Sequence, residues 1–182
     1  FECYLFDLDG TLVNSSADIA FAANEALSPL KVGPFSTHQV MSCLGQGAFS
    51  LLSRLSEDHH LEADQIERAV QRFLQTYRRE KGKHSKLYPE AYDVLHELSK
   101  RAELAIVSNK PAVLVKDTVQ ALGIEGRFRI ILGGDSLSEK KPLPTQIEYC
   151  LEKLSAAAGS TLMVGDSDVD IAAGKAAGIA TC

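Results

Sequence analysis

The strongest constraint on the fold is a set of four short apolar runs, at residues 3 to 7, 103 to 107, 128 to 132 and 161 to 165. Each is too short and too continuous to be one face of a surface helix, and reads as a strand buried on both sides. Ile179 onward opens a fifth. Between them lie helical patterns: Ala91 to Lys100 with Val94, Leu95 and Leu98, Ala112 to Leu122 with Val115 and Val119, Ile147 to Leu154, and Ile171 to Ala177. Strand alternating with helix predicts an α/β fold built on a doubly wound parallel sheet.

Residues 14 to 86 interrupt that alternation. Helical spacing runs through Ile19, Ala22, Ala23, Ala26 and Leu27, and again through Ile66, Ala69, Val70, Phe73, Leu74 and Tyr77, with breaks at Ser28-Pro29, Gly33-Pro34 and Gly45-Gln46-Gly47. The expected organisation is a Rossmann-like core of residues 1–13 and 87–182, carrying an inserted α-helical domain at 14–86. Pro89 is placed to start the helix after the return. With 182 residues, 45% of them hydrophobic, the chain can bury one core and support such an insertion.

Composition narrows the function. The net charge of -5 argues against a nucleic-acid binder, while an anionic small substrate is compatible with locally concentrated positive groups. No stretch approaches the roughly 20 apolar residues of a membrane span, and the start has no basic leader, so no membrane partner and a cytoplasmic location are expected. Cys3, Cys43, Cys150 and Cys182 form no CxxC pair and suggest neither zinc nor a disulfide framework. The start at Phe1 and the stop just after Gly178-Ile179-Ala180 suggest a longer parent polypeptide.

Ligands of open α/β sheets collect at the carboxyl ends of the strands, so what each strand ends in matters most. The first ends in Asp7-Leu8-Asp9-Gly10-Thr11-Leu12, the second in Ser108-Asn109-Lys110, and the fourth in Gly165-Asp166-Ser167-Asp168-Val169-Asp170. The segment after the third leads to Lys140-Lys141-Pro142. Carboxylates two residues apart leave an extended segment on the same side, so Asp7 and Asp9 converge and call for a cation. A nucleophilic carboxylate, a hydroxyl, a lysine and an acidic cluster at one sheet edge suit phosphoryl transfer. Each has a plainer reading. Asp7 and Asp9 could belong to a solvated Asp-Gly turn, Ser108 could be the N-cap of the next helix, and Lys141 could be a solvated loop lysine. Asp168 reads as a helix-start residue.

Taken in order, DLDGTL at 7–12, Ser108 within VSNKP at 107–111, Lys141 within KKPLP at 140–144 and GDSDVD at 165–170 match the four motifs of the haloacid dehalogenase superfamily of phosphohydrolases, which the chain resembles over its whole length. The inserted helices look like that family's small α-helical cap. LVNSSADIAFAANEAL at 12–27, VSNKP and LGGDSL at 132–137 are similar to the phosphoglycolate phosphatase group. The resemblance implies that Asp7 is the nucleophile, forming an aspartyl-phosphate, and that Asp9 is the acid and base. Ser108, Asn109, Lys141, Gly10 and Thr11 would hold phosphate. Mg2+ would be held by Asp7, the Asp9 backbone carbonyl and Asp166, with Asp170 supporting from behind. The substrate would be a small phosphorylated metabolite, 2-phosphoglycolate first, and the protein a monomer or homodimer. Other readings on the same scaffold are a phosphomutase of the β-phosphoglucomutase type, a pyrophosphatase or a nucleotidase. A catalytically silent phosphate-binding regulator is a reading of another class.

Within the insertion, Gly45-Gln46-Gly47 could close over substrate or be a simple turn. Arg78, Arg79, Lys81, Lys83 and Lys86 read as a solvated hinge face more than an anion guide, and His59-His60 beside Asp58 and Glu62 as a polar loop more than a metal site.

Overall fold

In the computed structural model, which describes residues 1–80 and 82–182, the chain runs β1 (Cys3–Phe6), β2 (Val13–Asn14), α1 (Ser16–Leu27), α2 (Thr37–Ser42), α3 (Ala48–Leu55), α4 (Ala63–Glu80) and β3 (Lys86–Leu87). It continues through α5 (Ala91–Leu98), β4 (Glu103–Val107), α6 (Ala112–Ala121), β5 (Ile130–Leu132), α7 (Thr145–Leu154), β6 (Thr161–Val164), α8 (Asp168–Ala176) and β7 (Ala180–Thr181). Lys81, one of the basic residues named above, lies outside the described residues. The chain divides into two compact units, Phe1–Asn14 with Lys86–Cys182, and Ser15–Ser85.

The first unit is a five-stranded parallel sheet in the order β5-β4-β1-β6-β7. Alternation along the strands splits its apolar side chains between two faces. On one face Phe6, Leu104 and Ile106 pack with Leu95 of α5 and Val115 and Val119 of α6. On the other, Cys3, Leu5, Ala105, Val107 and Met163 pack with Ile147 and Cys150 of α7 and Ala173 of α8. Helices therefore cover both faces, which makes the sheet doubly wound. The chain moves outward from β1 to β4 and β5, then returns to place β6 on the other side of β1. The strand order reverses at β1, and the carboxyl ends of β1, β4 and β6 meet there.

Several element ends differ from those expected. The third strand of the pattern starts at Ile130 rather than residue 128, because a 3-10 turn at Glu125–Arg127 comes first and Phe128 only joins the core. Pro89 does not open α5; Glu90 follows it at φ 68, outside the helical region, and the helix begins at Ala91. Helix α8 begins at Asp168, ahead of its apolar pattern, because Ser167 and Asp170 form a capping box. The two-residue antiparallel ladder of β2 with β3 has no counterpart in the sequence reading.

The second unit packs α1 against α4, burying Ile19, Ala22, Ala23 and Ala26 of the one and Ile66, Ala69, Phe73 and Tyr77 of the other. Its two ends are tied together by Asp18. This buried carboxylate accepts hydrogen bonds from the Ser85 hydroxyl at 2.6 Å and the His84 backbone N–H at 3.2 Å. Gly45-Gln46-Gly47 lies between α2 and α3. His59 and His60 sit in an exposed turn, and no cluster of potential metal ligands includes them among the described residues. Arg79 and Lys83 both pair with Glu80 on an exposed face.

Candidate active site

The site grows from the end of β1. Asp7 continues the strand, donating its N–H to the Val164 carbonyl of β6 at 2.9 Å, which fixes its backbone at the centre of the sheet. The chain then folds back: Leu12 and Val13 donate to the Leu8 carbonyl and Gly10 to that of Val13. This tight turn needs glycine at position 10 for two reasons. Its φ is +96, and a Cβ there would stand 2.2 Å from the Asp166 carboxylate. The turn therefore brings backbone right up to the acidic residue at the end of β6. The Thr11 hydroxyl donates to Asp166 Oδ1 at 3.3 Å.

Three carboxylates, Asp7, Asp166 and Asp170, gather so that one oxygen from each lies within 4.8 Å of the others. Lys141, only 2% exposed, enters this cluster and donates to Asp7 Oδ1 at 2.8 Å and Asp170 Oδ1 at 2.5 Å. The other Asp170 oxygen caps α8, accepting from the Ser167 N–H at 3.1 Å. Burial, opposed by Lys141 and abetted by the charges of Asp170 and Asp9, pushes the Asp7 carboxyl up to about 6. Burial and then the charge of Asp170 raise the Asp166 carboxyl as well. Burial disfavours the Lys141 charge, but the Asp7 and Asp170 carboxylates outweigh it and the ammonium holds its proton more tightly than an ordinary lysine. The cluster thus carries more negative charge than its lysine balances, which suits a cation.

The end of β4 forms the opposite wall. Ser108 is 2% exposed, and its Oγ accepts from the Lys110 N–H at 3.3 Å. It is not the cap of α6. That helix has Pro111 at its N-cap, and the Asp135 carboxylate accepts from the Ala112 N–H at 2.6 Å instead. Asn109 donates through Nδ2 to the Lys141 carbonyl at 2.8 Å, joining this wall to the lysine loop. Lys141 is not a solvated loop residue either.

The structure therefore brings Asp7, Asp9, Gly10, Thr11, Ser108, Asn109, Lys141, Asp166 and Asp170 to one edge of one sheet. Asp170 stands beside Asp7 and Asp166, buried and held by the Lys141 ammonium and by its capping box with Ser167. Lys110, which follows Ser108 and Asn109 at the end of the second apolar run, reaches across to Asp9 Oδ1 at 2.9 Å, with both side chains under 10% exposed. Its place two residues after Ser108 was the one available signal. Asp135, from the LGGDSL stretch, carried none for its capping role.

A parallel sheet whose switch point gathers buried carboxylates and lysines belongs to the class of open α/β enzymes that bind small ligands beyond their strand ends. The chain belongs to the haloacid dehalogenase-like hydrolase family, whose model matches residues 4–182. It is 36% identical over 184 residues to a phosphoglycolate phosphatase of Colwellia psychrerythraea, covering 98% of this chain and 81% of that protein. It is 39% identical over 178 residues to a phosphoglycolate phosphatase of Aquifex aeolicus, covering 97% and 81%. The crystal structure of a predicted phosphoglycolate phosphatase from Haemophilus somnus superimposes with a TM-score of 0.92 at 36% identity, covering all of this chain and 84% of the other. The chain is a hydrolase of the phosphoglycolate phosphatase-like kind, a class that acts on phosphoric monoesters. No helix among the described residues is long and apolar enough to cross a membrane.

Proposed function

We propose that this chain hydrolyses a small phosphomonoester, with 2-phosphoglycolate as the first candidate, through an aspartyl-phosphate on Asp7. The observation that supports this most is the seating of Asp7: a carboxylate at the end of the central strand, held by the Lys141 ammonium, with Asp166 and Asp170 beside it. An Asp7 oxygen attacks phosphorus as the bond to the ester oxygen breaks, and Asp9 gives its proton to that leaving oxygen. Asp9 then takes a proton from the water that attacks the phosphoryl group, releasing phosphate and restoring Asp7. Ser108, Asn109 and the Gly10-Thr11 turn surround the position of the phosphoryl oxygens, and Lys141 offsets the negative charge that builds there.

The donor set fits a divalent cation of the Mg2+ type, since it is all oxygen and three carboxylates gather within 4.8 Å of one another. Asp7, Asp166 and the Asp9 backbone carbonyl would hold it, with Asp170 close by. When bound, it neutralises charge on the phosphoryl group and on the carboxylates that face it. The helical unit is proposed as a cap that excludes water during the reaction. Phosphate release from a panel of phosphoglycolate, sugar phosphates, nucleotides and pyrophosphate, with and without Mg2+, tests the reading. A Mg2+-dependent preference for phosphoglycolate is expected. A different preferred ester changes the substrate and keeps the chemistry, whereas no release from any of them contradicts the proposal.

A further inference from the structure

Two buried lysines are divided between the two aspartates of the first turn. Lys141 bonds Asp7 and Asp170, while Lys110, in the loop after β4, bonds Asp9 from 101 positions away. The Lys110 and Asp9 side chains are 6% and 9% exposed, so the pair is not a screened surface contact. The backbone under Lys110 is held on both sides. Its N–H donates to Ser108 Oγ at 3.3 Å and its carbonyl accepts from the Gly134 N–H at 2.8 Å. Gly134 packs so tightly here that a Cβ would lie 2.5 Å from the Asn109 carbonyl oxygen. A long side chain that is buried, paired and anchored at its root has few ways to move.

We propose that Lys110 is a positioning residue that fixes the plane of the Asp9 carboxylate for delivering a proton to the leaving oxygen. The inference rests on the acid role proposed for Asp9. A carboxylate can rotate about its last torsion, and general acid catalysis requires the donating oxygen to face the departing one within hydrogen-bond reach. A bond from Nζ to Oδ1 selects one orientation. Because Lys110 follows Ser108 by two residues on the same clamped segment, the wall that faces the phosphoryl group also sets the acid that faces its leaving group. Direct binding of phosphate by Lys110 is the competing role. It would act on every ester equally, whereas positioning of the acid matters only where the leaving oxygen needs a proton.

That difference defines the test. Wild type and Lys110→Met are compared in kcat/KM, which reports the chemistry up to release of the leaving group, on the preferred alkyl phosphomonoester and on p-nitrophenyl phosphate, whose leaving group departs without a proton. For Lys110→Met the alkyl ester should lose about 100-fold or more, the usual size of a general acid's contribution, and the aryl ester about threefold or less. With the aryl ester kcat should still fall while kcat/KM holds, because the later attack of water also uses Asp9. Equal losses on both esters, or none on the alkyl ester, overturn the proposal. Should the Met variant fail to fold, Lys110→Arg carries the same comparison. Its larger planar head shifts the carboxylate and should slow the alkyl ester about tenfold, with the aryl ester unaffected. Asp9→Asn separates the two layers. If it shows no leaving-group selectivity, the acid role itself fails; if it does and the Lys110 variants do not, only the positioning role fails.

Discussion

Replacing Lys141 by Met isolates what this buried ammonium does for the carboxylates around it. It donates to Asp7 and Asp170 and is 2% exposed, so its removal leaves buried negative charge without its partner. Breaking a buried pair in this way costs about 3–5 kcal/mol when the remaining group stays charged. A proton can take the lysine's place, and that makes the cost depend on pH. In metal-free wild type Asp7 titrates at about 6, against an ordinary value of 3.8 for the unfolded chain. Between those values the folded protein holds a proton the unfolded chain has lost, so this group's contribution to stability falls as pH rises, and the fall ends above about 6. Without Lys141 the Asp7 proton is held to higher pH, so the fall continues at about 1.4 kcal/mol per pH unit. From pH 6 to 8 the variant should therefore lose up to about 3 kcal/mol that wild type keeps, a bound comparable with the cost of the broken pair. Urea unfolding of both proteins in chelator at pH 5, 6, 7 and 8 measures this. The gap should widen from pH 5 to pH 8; a gap that is constant, or absent, refutes the electrostatic account of the cluster.

Other perturbations probe separate parts of the structure. Gly10→Ala introduces a Cβ 2.2 Å from Asp166 Oδ2 at a φ of +96, so it should cost about 1–3 kcal/mol in a denaturant melt and weaken stabilisation by added Mg2+. A variant as stable and as responsive to Mg2+ as wild type removes the packing argument. Asp135→Ala removes the acceptor for the first turn of α6 and should cost about 1 kcal/mol, a typical capping loss, in the same melt. The thiols should divide by burial. Burial pushes the Cys150 thiol up to about 12 and raises Cys3, so a thiol reagent at pH 8 should modify Cys182 and Cys43 in the native protein and reach the other two only on unfolding. Rapid modification of all four without denaturant contradicts the packing of the β1–α7 face.

The sheet was legible in the sequence because its strands are buried on both faces, and continuous apolar runs record that directly. The residues after those runs were legible for a related reason: a polar cluster at the end of a buried strand has a known place in space, whatever loops follow. Pairings between distant residues could not be read from local spacing. Lys110 meets Asp9 across 101 positions, and Asp135 caps a helix that starts 23 residues before it. The ladder of Val13–Asn14 with Lys86–Leu87 is too short to have a period. Helix α8 illustrates the boundary problem, since its apolar spacing starts at Ile171 while the chain turns helical at Asp168 under the Ser167 and Asp170 capping box. That box and the Lys141 ammonium also hold Asp170 beside the other carboxylates.

Chemical trapping of the aspartyl-phosphate tests directly whether Asp7 carries the phosphoryl group. The protein is mixed with a turned-over phosphomonoester and Mg2+, quenched, and treated with borohydride, which reduces an aspartyl-phosphate to homoserine, before peptide mass spectrometry. Homoserine at position 7, appearing only with substrate and absent from Asp7→Asn, is the expected result. Turnover with Asp7 unmodified, or with the label on another residue, contradicts the account.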